Sequence, residues 1–191
     1  LASMAAALLL YPGAKLVFPG ACEALLRRYL EEHTAEFPEI LPLRSLDLSM
    51  VERLVCVDVS NRGRLGDLAS LLDRDPPVPV EVYDHHPGQG DFRPSGGRER
   101  EAGACATVMV QELRDRGIEP GPNLATLFLL GIYEDTGFLS FPTTRPADFA
   151  AAQQCLLWGA DLTQVSRVLH RRLSETQVRI LTKLMERMET L

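Results

Sequence analysis

Asp84-His85-His86 places a carboxylate and two imidazoles in consecutive positions at the end of an apolar run, Val78-Pro79-Val80-Glu81-Val82-Tyr83, and just before Pro87-Gly88. Such a trio is costly to bury without a partner, but it suits a divalent cation and a phosphate. Successive side chains on a strand point to opposite faces, so a strand that stops here releases its last residues beyond the carboxyl edge of a sheet. Open α/β folds hold ligands in that crevice. A lone histidine near a strand end is ordinarily a surface or core residue, so the question is whether other ligating groups reach the same edge.

Two further carboxylates fall at comparable places. Asp58 closes the β-forming run Arg53-Leu54-Val55-Cys56-Val57-Asp58, and Asp135 lies in Gly131-Ile132-Tyr133-Glu134-Asp135-Thr136-Gly137, at the end of an apolar helical pattern. A parallel sheet sets neighbouring strand ends side by side, so distant positions can converge on one cation or a pair. Mixed carboxylate and imidazole ligation suits manganese, with cobalt, iron or zinc as alternatives. A two-metal site about 4 Å across would generate hydroxide at neutral pH and clamp both oxygens of a phosphoryl displacement.

The elements that must position these groups alternate along the chain. An apolar helix over Leu1–Leu10 is followed by a short strand at Ala14–Phe18 and an amphipathic helix over Ala21–Glu32. A loop interrupted by proline holds Leu41–Leu48 with room for a short strand, and Arg53–Asp58 reads as a buried parallel strand. Leu65–Leu72 is expected to be a helix, Val78–Tyr83 a strand, and the Gly- and Arg-rich stretch Pro87–Glu101 a flexible loop. Helices are then expected over Ala104–Arg116, Leu124–Glu134, Ala147–Trp158, Leu162–His170 and Glu175–Leu191. Ser174-Glu175-Thr176-Gln177 fits a capping box. On the last helix Val178, Leu181, Leu184, Met188 and Leu191 form one apolar stripe, fit to pack on its own domain or to connect to another. The fold class expected is α/β, a Rossmann-like parallel sheet with helices on both faces followed by C-terminal helices.

With 191 residues the chain can bury one substantial core, and its 46% apolar and 24% charged residues are ordinary for a globular domain. A net charge of -6 removes the basic footprint of non-specific nucleic-acid binding, so a nucleotide would be held locally by metal and a few arginines. Four widely spaced cysteines form neither metal-ligand spacing nor a secreted disulfide framework, which favours a reducing cytoplasm. The opening Leu1–Leu10 segment has no basic flank and is too short to span a bilayer; it reads as a buried helix whose beginning is missing.

Together these motifs resemble the DHH phosphoesterases, a superfamily of RecJ-type exonucleases, oligoribonuclease and phosphoadenosine phosphatases, and family II inorganic pyrophosphatases. Further wording is similar to one branch: Leu1-Ala2-Ser3-Met4, Leu10-Tyr11-Pro12-Gly13-Ala14, the Gly131–Gly137 run, Thr143-Thr144 with Asp148, and Gly159-Ala160-Asp161-Leu162. That branch is the N-terminal DHH module of bacterial tRNA nucleotidyltransferase/poly(A) polymerase proteins, where it precedes CBS and polymerase domains. The resemblance implies a manganese-dependent phosphoesterase, with two ions and with magnesium or cobalt as substitutes, acting on a nucleotide or short single-stranded nucleic acid. It implies that Asp58, His85 and Asp135 are metal ligands, that His86 meets the scissile phosphate, and that Asp84 orients the site. Gly103 and Thr107, in the small-residue segment Gly103-Ala104-Cys105-Ala106-Thr107, are expected near a substrate phosphate, as are Arg62 and Arg64.

Residues 1–173 are expected to form the DHH domain and 174–191 a connector toward a lid-like substrate domain. The superfamily's first motif, His, three residues, Asp, one residue, Asp, stands before the Leu-Ala-Ser helix, where this chain starts, so the domain is expected to lack it. The rival class is a non-catalytic nucleotide-sensing or scaffold domain. Asp135-Thr136-Gly137 also matches the aspartic-protease triplet, but those proteins are β-rich and here a helical pattern leads in. A dinucleotide site is disfavoured because no Gly-x-Gly-x-x-Gly follows a strand.

Overall fold

The computed structural model describes residues 1–18, 40–86, 90–99, 101–169 and 175–188. The helix expected over 21–32 lies outside these residues, as do Ser174 of the expected capping box and Leu191 of the expected stripe.

The first helix, α1 (Ala2–Leu10), buries Ala2, Ala5, Ala6 and Ala7. Small side chains let its backbone lie close to α2 (Cys105–Asp115) and α3 (Pro122–Thr136). At Gly131 of α3 an added Cβ would meet the Cβ of Ala2 at 2.6 Å, so the crossing requires glycine there.

β1 (Leu16–Val17) and β2 (Ile40–Leu41) pair in parallel as a short sheet of their own. The main sheet is parallel in the order β3-β4-β5, from β3 (Leu54–Val57), β4 (Val80–Asp84) and β5 (Gly96–Glu99). Val57 pairs with Tyr83 and Asp84 with Glu99, so β3 and β4 end side by side. Alternation then divides the core in two. Leu54, Cys56, Val80 and Val82 pack with Leu65, Leu68 and Leu71 on one face, whereas Tyr83 joins α1, α2, α3 and their neighbours on the other. Phe128, Leu129 and Ile132 of α3 are fully buried in that second core, each contributing about 1.5–3 kcal/mol relative to exposure. The expected α/β architecture is therefore present, with helical segments covering both faces.

Two expectations are corrected. The segment over 65–72 is a 3-10 helix, Gly66–Asp73, rather than an α-helix. Within the expected loop Pro87–Glu101, residues Gly96–Glu99 form the edge strand β5. Glycine is a poor strand former, which hid this strand in the sequence. Gly97 is there because a Cβ would meet the Val82 carbonyl oxygen at 2.1 Å, and because its φ is +104°.

Among the described residues three further helices follow: α4 (Pro146–Leu157), α5 (Leu162–Leu169) and α6 (Glu175–Glu186). Pro122 and Pro146 stand at the first helical positions, where a missing N–H costs nothing. The stripe residues Val178, Leu181 and Leu184 on α6, and Met188 just past its end, are all exposed.

Candidate metal centre

The carboxyl ends of β3 and β4 bring four of the expected residues together. Ligand atoms of Asp58, Asp84, His85 and His86 all lie within 4.8 Å of one another. Asp58 follows β3 directly and still donates its N–H to the Tyr83 carbonyl at 2.9 Å, so the ladder runs one residue past the strand. Its φ of 63° is left-handed, a rare state outside glycine that asparagine and aspartate tolerate best. Its Oδ1 stands 3.3 Å from His85 Nε2 and 3.8 Å from His86 Nδ1.

Asp84, the last residue of β4, is only 3% exposed. Its Oδ1 accepts the backbone N–H of His85 at 2.8 Å and of His86 at 3.3 Å, and the His86 Nδ1–H at 2.7 Å. Burial by itself raises the Asp84 carboxyl; hydrogen bonds from Ser60, the His86 ring and the two backbone N–H groups outweigh it, holding the group below the usual carboxylate value. Asp84 thus orients the turn and holds the His86 ring by Nδ1.

His85 is fixed from its other side. Nδ1 lies 3.1 Å from the Ala102 carbonyl oxygen and Nε2 3.3 Å from Asp58 Oδ1; both partners only accept, so a neutral ring with its proton on Nδ1 bears its lone pair on Nε2. That lone pair faces the Asp58 carboxylate. Two acceptors at 3.3 Å repel each other unless a proton or a cation stands between them. The hydrogen bond to Asp58 raises the affinity of His85 for a proton, against the opposing effect of burial. The same donor set, carboxylate oxygen plus unprotonated imidazole nitrogen, fits a divalent metal.

Asp135, in the last turn of α3, stands outside this close group. Gly137, Phe138 and Leu139 follow it with left-handed φ values of 53°, 59° and 62°, and the helix stops there. The Asp135 side chain is reached by solvent yet crowded by protein. That crowding first, and then the charges of Asp58 and Glu134, push its carboxyl up to about 6 against the pull of His85. It therefore shares the electrostatic field of the group.

The expected phosphate contacts divide. Arg64 lines an open cleft with Val59, Ser60, Asn61, Asp84 and His86. Arg62 instead forms an ion pair with Asp73, and its backbone N–H is held by Asp91 at 2.6 Å. Gly103 and Thr107 also turn elsewhere. The Gly103 N–H and the Thr107 hydroxyl both donate to the buried carboxylate of Asp148, at 2.9 Å and 2.6 Å. Both donors are thus engaged with Asp148 in this structure. Sequence reasoning missed the Ala102 carbonyl, Ser60 and the buried role of Asp148. Only Arg145-Pro146-Ala147-Asp148, a helix start with an acidic third residue, signalled any part of this.

No family model matches the chain. It is 43% identical over 187 residues to the A-adding tRNA nucleotidyltransferase of Geobacter sulfurreducens, covering 97% of this chain and 21% of that protein. It is 36% identical over 110 residues to the A-adding tRNA nucleotidyltransferase of Aquifex aeolicus, covering 58% of this chain and 13% of that one. The chain thus spans about a fifth or less of the length of these curated relatives. Among solved structures, an exopolyphosphatase-related protein from Bacteroides fragilis superposes with a TM-score of 0.70 at 16% identity, covering 98% of this chain and 58% of its own. A putative family II inorganic pyrophosphatase from Methanococcus jannaschii gives 0.63 at 20% identity, covering 88% and 56%. At these identities the structural likeness speaks to the fold. The chain is thus homologous to one segment of A-adding tRNA nucleotidyltransferases and shares its fold with an exopolyphosphatase-related protein and a putative family II inorganic pyrophosphatase.

Proposed function

We propose that this chain is a manganese-dependent phosphoesterase module that hydrolyses a nucleotide or short oligonucleotide phosphoester within a larger tRNA nucleotidyltransferase/poly(A) polymerase-like protein. The observation that carries the reading is the convergence of Asp58, Asp84, His85 and His86 at one sheet edge, with the bare Nε2 of His85 aimed at Asp58. Asp58, His85 and Asp135 would hold the metal, most simply manganese, with magnesium or cobalt as substitutes. When bound, it supplies an activated water and neutralises phosphoryl charge.

The protein's own groups do the rest. Asp84 holds the His86 ring by Nδ1, so Nε2 can meet a phosphoryl oxygen in the cleft that His86 and Arg64 line. Arg64 supplies a planar, permanent cation for the same phosphate. The reading places residues 1–173 in the DHH domain and makes 174–191 a connector whose exposed apolar stripe leads toward a lid domain. It extends to CBS and polymerase domains in the parent chain and to a cytoplasmic setting. Among the described residues no helix is long and apolar enough to cross a membrane.

The test is hydrolysis of short oligonucleotides, phosphoadenosine phosphate and pyrophosphate with manganese, in wild-type protein and in Asp58→Ala and His85→Ala. Cleavage of a phosphoester that both substitutions abolish is the expected result. Cleavage that survives both overturns the proposal, and metal binding with no cleavage of any substrate points to the scaffold class.

A further inference from the structure

We infer that Asp148 is a positioning residue that sets the tautomer and orientation of His85 through the single peptide bond between Ala102 and Gly103; this rests on His85 being a metal ligand. The carbonyl of Ala102 and the N–H of Gly103 belong to the same planar unit. Asp148 grips its N–H end, with Oδ2 at 2.9 Å and Oδ1 at 3.1 Å from the Gly103 nitrogen. His85 Nδ1 donates to its C=O end at 3.1 Å. A trans peptide points these two ends in opposite directions, so fixing one fixes the other.

The carboxylate is itself tightly held. It is fully buried, and it also accepts the Thr107 hydroxyl on Oδ1 at 2.6 Å and the Arg145 N–H on Oδ2 at 2.7 Å. Glycine is required at 103: a Cβ would meet Asp148 Oδ2 at 2.6 Å and Thr136 Cγ2 at 2.7 Å. Capping of α4 needs the Arg145 contact alone. The contacts to Gly103 and Thr107 bind Asp148 to a different segment, the one that holds His85. A carboxylate that accepts the Gly103 N–H polarises the peptide and makes the Ala102 carbonyl a stronger acceptor. The proton therefore stays on Nδ1, and Nε2 keeps its lone pair and gains basicity toward a metal. None of this requires Asp148 to approach the metal.

The test uses 15N-edited NMR of the histidine rings in metal-free protein at about pH 9, where imidazole is neutral, together with manganese titration and thermal unfolding. In wild type, His85 is expected as the Nδ1–H tautomer. Asp148→Asn should raise the Nε2–H form to a comparable population and weaken manganese binding about 10- to 100-fold. Thr107→Val, which leaves Asp148 in place but loosens it, should shift both in the same direction by less, and Thr107→Ser should restore wild-type behaviour. If Asp148→Asn folds poorly, the Thr107 pair decides. An unchanged tautomer and unchanged metal affinity in both Asp148→Asn and Thr107→Val, with only the melting temperature lowered, would show a structural cap and overturn the inference. A wild-type protein that binds no manganese while its tautomer still responds to Asp148 and Thr107 would retain the positioning role and remove the metal-site reading instead.

Discussion

His85 Nε2 and Asp58 Oδ1 face each other across 3.3 Å while the opposite nitrogen of the same ring is held by the Ala102 carbonyl. A neutral ring protonated at Nδ1 has no proton to offer Asp58, and the pair is then at rest only with a proton or a cation between them. This relationship, together with the left-handed backbone at Asp58, is the basis for proposing the site at the ends of β3 and β4.

The two arginines after Asp58 should behave differently. Arg64 lines the cleft, whereas Arg62 is engaged with Asp73. Steady-state kinetics on the cleaved phosphoester should show KM raised about tenfold in Arg64→Ala, about 1.4 kcal/mol of binding, with Arg62→Ala close to wild type. Equal effects would contradict this division.

Asp135 gives a pH dependence whose sign is fixed. Crowding by the surrounding protein, and then the charge of Asp58, push its carboxyl up to about 6, above its ordinary value of 3.8. The folded, metal-free protein therefore holds this proton more tightly than the unfolded chain does, and stability from this group is lost as pH rises from about 4 to about 6. Asp135→Asn, which stays neutral, should melt higher than wild type at pH 7 without metal and show no such gain at pH 4. A lower melting temperature at pH 7 would refute the assigned environment.

β5 depends on a glycine. At Gly97 a Cβ would collide with the Val82 backbone, and the φ of +104° suits no other residue. Gly97→Ala should destabilise the protein by about 1–3 kcal/mol in urea unfolding. A neutral effect would place β5 away from β4.

Cysteine reactivity reports on the core. Burial pushes the thiols of Cys56, Cys105 and Cys155 up to about 12. At pH 8 only about one in ten thousand of each is thiolate, the reactive form. Iodoacetamide followed by peptide mapping should leave all three unmodified in the native state and label them in urea. Rapid native labelling of any one would place it outside the core.

Much of the site was legible because its residues announce themselves. Asp58 and Asp84-His85-His86 follow runs of β-formers, and a parallel sheet joins such ends side by side. Asp135 was readable as the end of an apolar helix. β5 was hidden because Gly96-Gly97 carries no strand propensity and is selected by a close backbone approach. Gly103 and Thr107 looked like an anion cradle since small residues open α2, yet their partner Asp148 lies more than 40 residues away. No local pattern encodes such a pairing. Arg62 and Arg64 have identical chemistry in sequence, and only the position of Asp73 separates them.

The central claim is most directly tested by titrating manganese into the protein and following free Mn2+ by electron paramagnetic resonance, with His85→Ala and Asp58→Ala beside wild type. The account predicts saturable binding in wild type and at least a tenfold loss of affinity in each variant, about 1.4 kcal/mol or more. Manganese affinity that is the same in all three proteins would contradict it.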